Sequence, residues 1–312
     1  MPDRLPPLPH LQGGNFLADG GLETTLVFLE GIDLPSFAAF PLVLTEAGRE
    51  ALARYFGPYL AEARNRDVGF ILDTPTWRAN PDWAEKLGFG LGDVLEANRR
   101  AVAFAARLRD EVDDPSIPIV LNGVVGPRGD GYVVGATMTE DEAARYHRPQ
   151  IEALRDGGAD MVSAITMTYV EEAVGIALAA RASGVPVAVS FTVETDGRLP
   201  SGQDLKAAIE DTDAATGKTP AYYMINCAHP DHFREAIASG EPWLDRILGI
   251  RANASRKSHA ELDASTELDI GDPTELGRQY RDLRSQLPSL RVFGGCCGTD
   301  HRHIAAICEA CL

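Results

Sequence analysis

Five cysteines punctuate a chain of 312 residues, and their placement says more than their number. Cys227 closes the apolar run from Ala221, the adjacent pair Cys296 and Cys297 lies inside Gly294-Gly295-Cys296-Cys297-Gly298, and Cys308 and Cys311 stand three residues apart near the last residue. Adjacent residues on an extended strand face opposite sides, so a vicinal pair serves one metal only where the backbone turns sharply beneath it, which the flanking glycines permit. Thiolates from Cys227, Cys296 and Cys297 with a fourth position open make a catalytic rather than a structural zinc arrangement, since structural sites are closed by four protein ligands. Coordination to Zn²⁺ deprotonates a thiol that is otherwise mostly protonated at neutral pH, so the pattern points to a thiol substrate. A buried Cys can equally be a small hydrophobe, and that reading stays open for Cys227 taken alone. Cys308 and Cys311 share one face of a final helical segment and read as packing.

The elements that must position these residues alternate. Strand patterns run over Phe16 to Asp19, Gly69 to Asp73, Ile117 to Val125, Asp160 to Thr166, Val185 to Val193, Ala221 to Cys227, Arg246 to Ala252 and Leu290 to Gly294. Several are continuously apolar, as strands covered on both faces are. Helical patterns lie between them: Glu46 to Arg66, Asp93 to Val112, Glu140 to Gly157, Val170 to Ser183, Gln203 to Thr216, Asp231 to Ser239, Pro273 to Gln286 and Asp300 to Cys311. Thr139 with Glu142 spells a capping box, and Asp272 followed by Pro273 spells a helix start. This alternation predicts an α/β fold, a single (β/α)8 TIM barrel occupying residues 1–312 as one domain, with 1–14 as an extended Pro-rich leader. In such a barrel chemistry sits at the carboxyl ends of strands, where Asp19-Gly20-Gly21, Asp73 to Trp77, Gly126-Pro127, Asn226-Cys227 and the Gly-Gly-Cys-Cys-Gly run all fall.

Composition narrows the function classes. With 45% hydrophobic and 24% charged residues the chain can bury a substantial core. A formal charge of −17 repels phosphate backbones and anionic lipid, and no basic patch offsets it, so neither nucleic acid nor membrane is an expected partner. The first residues lack an apolar signal core, and no apolar run reaches a membrane span, which predicts a cytoplasmic protein with reduced thiols. No dinucleotide fingerprint, phosphate loop or nucleophile elbow is present. Lys257 is the one lysine placed for a Schiff base at the barrel mouth, a weak second enzyme class.

The motifs Ala18-Asp19-Gly20-Gly21-Leu22, Asn122-Gly123-Val124-Val125-Gly126-Pro127, Val189-Ser190-Phe191, Ile225-Asn226-Cys227 and Gly294-Gly295-Cys296-Cys297-Gly298-Thr299 occur in one order across nearly the whole chain. Together they resemble the homocysteine S-methyltransferase family. The resemblance implies a (β/α)8 barrel in which zinc, held by Cys227, Cys296 and Cys297, binds the homocysteine sulfur. That sulfur would then attack the methyl carbon of an onium donor and give methionine. It further implies that Asp19 and Gly20 hold the amino-acid end of homocysteine, with Thr76, near a matching polar position, and Asn226, beside the first ligand, as further substrate-binding residues.

One departure is informative. Where the family commonly has Glu-Thr ending the fourth strand, used for the substrate ammonium, this chain reads Ile165-Thr166. An apolar residue cannot replace a carboxylate counterion, so either Asp19, Glu23 or Asp73 takes over the ammonium or the thiol acceptor is not homocysteine. Aromatic faces are the usual receptors of onium cations, and Trp77, Tyr132 and Tyr169 lie in suitable loops. His229 and His301 are placed to tune a zinc shell. The expected partners are therefore a small-molecule thiol acceptor and a methyl donor, and a homo-oligomer is compatible with the sequence. The competing reading is a non-catalytic zinc or redox-sensing barrel, in which loss of metal lets Cys227 pair with a vicinal cysteine.

Overall fold

A computed structural model describes residues 8–112, 114 and 116–312. Eight parallel strands close into a barrel in sequence order: β1 Phe16–Leu17, β2 Gly69–Asp73, β3 Ile119–Val125, β4 Met161–Met167, β5 Val187–Phe191, β6 Tyr222–Asn226, β7 Ile247–Ala252 and β8 Val292–Gly295. Closure is made by β1 against β8, with Phe16 opposite Val292 and Leu17 opposite Phe293. The interior is filled by Phe16, Ile71, Val120, Val124, Met161, Ile165, Tyr222, Met224 and Val292, while a larger apolar layer lies between the strands and the surrounding helices. Both faces of each strand are thus buried, which is why the strand sequences do not alternate. Among the described residues no helix is long and apolar enough to cross a membrane.

The helices start where their caps dictate. The Thr139 hydroxyl accepts from the Glu142 amide and the Glu142 carboxylate accepts from the Thr139 amide, opening Glu140–Asp156. Asp272 caps Pro273–Gln286 by accepting from the amides of Thr274 and Glu275. Helices Glu46–Asn65, Leu91–Glu111, Val170–Ser183, Leu205–Thr216 and His301–Cys311 complete the outer layer.

Three expectations are revised. After β6 only Pro230–Phe233 is helical; residues 234–239 continue as turns, and the next helical turn opens at Pro242. An additional helix, Pro81–Lys86, is capped by Asn80, whose side chain accepts from the Trp83 amide. Of the proposed extended leader, residues 1–7 lie outside the described residues, and Pro9–Gln12 forms a helical turn instead. That turn buries Leu8 and His10, with the His10 ring edge-on to Phe16 and Tyr222. Since Phe16 and Tyr222 begin their strands, the turn plugs the end of the barrel opposite the strand carboxyl ends. Burial, helped by Arg291, lowers the His10 pKa to about 4.

Candidate active site

The carboxyl ends of the strands surround a cavity of about 300 Å³, lined among others by Asp19, Gly20, Glu23, Asp73, Trp77, Tyr132, Ile165, Asn226, Arg251, His259 and the thiol cluster. The Sγ atoms of Cys227, Cys296 and Cys297 lie within 4.8 Å of one another. Cys227 and Cys296 are paired as a disulfide, their Cα atoms 5.4 Å apart, and Cys297 is a free thiol. The two strand ends hold these Cα atoms close enough for the sulfurs either to pair or, when reduced, to share one ion with Cys297.

Each cysteine is aimed by its backbone. Cys227 takes a left-handed conformation, φ 52°, uncommon for a side chain with a Cβ. Its amide donates to Arg251 O at 3.1 Å, and its carbonyl accepts from His259 Nε2 at 2.6 Å. The vicinal pair rides a tight turn: Cys296 N donates to Ala252 O, and Cys296 O accepts from both the amide and the hydroxyl of Thr299. Gly298 follows at φ 78°, with a Cβ there falling 2.5 Å from Asp269 O, so the turn requires glycine.

Tyr132 Oη lies 3.6 Å from Cys227 Sγ and 3.4 Å from Cys297 Sγ. Burial holds the phenol pKa well above its ordinary value, so the hydroxyl keeps its proton and donates to sulfur. Its ring packs on His259, centroids 4.3 Å apart, and His259 Nδ1 lies 3.0 Å from Glu194 Oε1. Burial also pushes the Cys297 thiol up, against the Tyr132 hydrogen bond that lowers it. Three sulfur donors on one wall of a cavity, once reduced, suit a soft divalent ion with its remaining position facing the cavity.

Beneath the thiols, Arg251 at the end of β7 spans two carboxylates. Its guanidinium pairs with Asp19 Oδ1 through one nitrogen and with Asp73 Oδ2 through another. The remaining oxygens are also taken: Tyr55 donates to Asp19 Oδ2 at 3.0 Å, and Asn122 donates to Asp73 Oδ1 at 2.7 Å. Burial pushes Asp19 up to about 6 even though Arg251 pulls it back. Burial likewise works against the Arg251 charge, but Asp73 and Asp19 outweigh it and keep the guanidinium ionised.

The residues singled out in the sequence part company here. Asp19, Gly20, Trp77, Asn226 and Ile165 line the cavity with the three cysteines. Thr76 does not: it is fully buried, donating to Val124 O at 2.7 Å and hydrogen bonded to Thr74 Oγ1, because the loop after β2 folds back on β3. Asn226 spends its side chain on structure, accepting from Ser190 Oγ at 2.6 Å and the Thr166 amide at 3.0 Å while donating to Thr166 Oγ1. This holds Thr166, φ 67°, in the bulge where β4 shifts register against β5. Trp77 donates to Ile165 O and presents its ring to Arg78, whose guanidinium carbon is 4.7 Å from the ring centroid. The Tyr169 hydroxyl accepts from the Met138 amide away from the cavity. Among the lining residues neither His229, His301 nor Lys257 appears; His229 caps a helix turn by accepting from the Asp231 amide. Cys308 is in the core and Cys311 packs against it. Arg251 and His259 escaped the sequence reading, although a lone Arg closing the apolar strand ILGIRA was a usable signal for the first.

A family model for homocysteine S-methyltransferase matches residues 16–311. The chain belongs to the homocysteine S-methyltransferase family. Within that family's neighbourhood, methionine synthase of Mycobacterium leprae is 25% identical over 252 residues, covering 75% of this chain and 20% of that protein. Bovine betaine–homocysteine S-methyltransferase 1 is 24% identical over 261 residues, covering 77% of this chain and 60% of that protein. The chain thus spans about a fifth and three fifths of these two relatives. The homocysteine methyltransferase MmuM of Escherichia coli shares the fold: its metallated form superposes with a TM-score of 0.74 at 19% identity, covering 96% of this chain and 97% of the other, and its oxidized form with 0.73 at 21%, covering 94% of each.

Proposed function

We propose that this homocysteine S-methyltransferase family member is a zinc-dependent enzyme that moves a methyl group from a sulfonium or quaternary ammonium donor to the thiol of homocysteine, giving methionine. The observation that carries the reading is the convergence of the Cys227, Cys296 and Cys297 sulfurs within 4.8 Å on the wall of the cavity. Reduced, these three would hold Zn²⁺, which supplies a deprotonated acceptor sulfur at neutral pH. In the transfer the new sulfur–carbon bond forms as the donor's own bond to that methyl breaks, its electron pair leaving on the neutral sulfide or amine.

The chain's own residues orient the partners. The Tyr132 hydroxyl donates into the sulfur cluster and His259 fixes the Cys227 backbone that aims its thiol. Phe28, Phe37 and Trp77 bring aromatic faces to the cavity, and Glu23, Asp130, Asp263 and Glu267 bring negative charge, a setting that attracts a cation. Asp19 and Gly20 shape the amino-acid end of the acceptor pocket, Asp19 through the ion pair with Arg251, and Asn226 supports Thr166 beside it. Thr76 has no part in this proposal. The same reading places the enzyme in the cytoplasm as one barrel domain acting on small molecules.

The test is a donor screen on reduced, zinc-loaded protein. Homocysteine is offered with S-methylmethionine, dimethylsulfoniopropionate or betaine, and methionine is quantified; formation with at least one donor is expected, and none with any donor overturns the proposal. The pairing of Cys227 with Cys296 favours one second reading, a redox-sensing barrel. That reading predicts zinc release on oxidation and no turnover in the same screen.

A further inference from the structure

Taking homocysteine as the acceptor, as proposed above, leaves the counterion for its ammonium to be found. Ile165, 9% exposed on the cavity wall, carries no charge. Asp19 and Asp73 are both committed, because Arg251, Tyr55 and Asn122 occupy all four of their carboxylate oxygens. An ammonium arriving there would have to compete with a buried guanidinium already paired twice, and adding it would place two cations against the same oxygens.

Glu23 is differently placed. It lines the cavity two residues beyond Gly21, and that loop is pressed against the turn carrying the vicinal cysteines: Gly21 N donates to Thr299 O at 3.0 Å, the Gly298 amide donates to Thr24 Oγ1 at 3.3 Å, and a Cβ on Gly21 would lie 2.6 Å from Cys296 O. Among the described residues its carboxylate has no partner beyond its own backbone amide. The other acids on the lining are engaged or peripheral: Asp130 accepts from the Tyr132 and Val133 amides, Asp269 accepts from Ser255, and Asp263 and Glu267 stand on the exposed rim. We infer that Glu23 is the residue that selects an amino-acid thiol, holding the acceptor's α-ammonium beside the cysteine cluster. Homocysteine has two methylenes between its sulfur and its α-carbon, so a carboxylate on the neighbouring loop meets the ammonium of a sulfur seated at the cysteines. Burial pushes the Glu23 pKa up to about 7, with Arg78 and Arg251 pulling it back.

The experiment measures dissociation constants by calorimetry on reduced, zinc-loaded protein for two probes, homocysteine and its desamino analogue γ-mercaptobutyrate. Wild type is expected to prefer homocysteine. Glu23→Gln should weaken homocysteine by about 10-fold or more, the loss typical of a charge-assisted hydrogen bond, and leave the desamino thiol unchanged. Glu23→Asp should recover part of the preference at unchanged zinc content. If wild type prefers homocysteine and Glu23→Gln keeps that preference, or weakens both probes equally, the Glu23 assignment fails while the acceptor stands. If wild type binds the desamino thiol as tightly as homocysteine, the site does not read an ammonium, and both the acceptor and the assignment fall.

Discussion

Replacing Arg251 by Met tests the electrostatic floor of the site. The residue is 7% exposed and its guanidinium is the only cation paired with Asp19 and Asp73 among the described residues. Met preserves much of the stem but strands two buried carboxylates, each left with one neutral donor, Tyr55 for Asp19 and Asn122 for Asp73. Removing one member of a buried ion pair costs about 3–5 kcal/mol, against a total stability of about 5–15 kcal/mol for a typical domain. The pH dependence carries the signature. Without the guanidinium the folded-state pKa of Asp19 rises further, so the stability of Arg251→Met is fully present below the unfolded pKa of about 4 and is lost as pH rises through the folded value. Asp19, pushed up to about 6 even with Arg251 present, marks where that loss is already under way. Urea unfolding at pH 7.5 and pH 4.5 should therefore show a penalty of about 3–5 kcal/mol that shrinks at the lower pH, and adding Asp19→Asn with Asp73→Asn should restore most of it. A loss below about 1 kcal/mol at pH 7.5, in the range of an exposed pair, refutes the reasoning.

Other consequences are simpler to read. Ile165→Glu adds a carboxylate where the wall is apolar, and should lower the KM for homocysteine without affecting γ-mercaptobutyrate; an unchanged or higher KM contradicts it. His10, with its pKa lowered to about 4, contributes stability that is present above about 6.5 and lost as pH falls toward 4, a span worth about 3 kcal/mol. His10→Phe keeps the aromatic edge contacts and should flatten that part of the stability profile; a profile identical to wild type would show that other groups cause it. Gly298→Ala forces a Cβ against Asp269 O in a left-handed turn and should destabilise by at least about 1 kcal/mol while loosening metal retention, which a melt and a metal assay together would detect.

Much of the barrel was legible because its cues are local. Apolar runs such as PVAVSF mark buried strands, and the Thr139/Glu142 and Asp272-Pro273 signals open their helices in the structure. The three cysteines were found because glycine flanks a vicinal pair where a strand should end. What escaped depends on closure of the chain. Arg251 meets Asp19 and Asp73 across 232 and 178 residues of sequence, so nothing near any of them announces that the two acids are occupied. Thr76 looked available until the loop after β2 turned its hydroxyl onto Val124 O. The Pro-rich start looked extended, yet Pro at the first helical position also suits a helical turn, and burial of Leu8 and His10 selected it over Pro9–Gln12. His259 gives no sequence signal of its own, since its role is set by the Cys227 carbonyl 32 residues upstream.

The central claim is that Cys227, Cys296 and Cys297 together hold the metal that activates a thiol. Each is replaced singly by Ala, the proteins are reduced, loaded with Zn²⁺ and dialysed, and zinc per chain is measured beside methionine formation from homocysteine. The account predicts one zinc per chain with turnover in wild type, and loss of both in every variant while the thermal melt stays cooperative. A Cys296→Ala protein that keeps its zinc and its rate would contradict it.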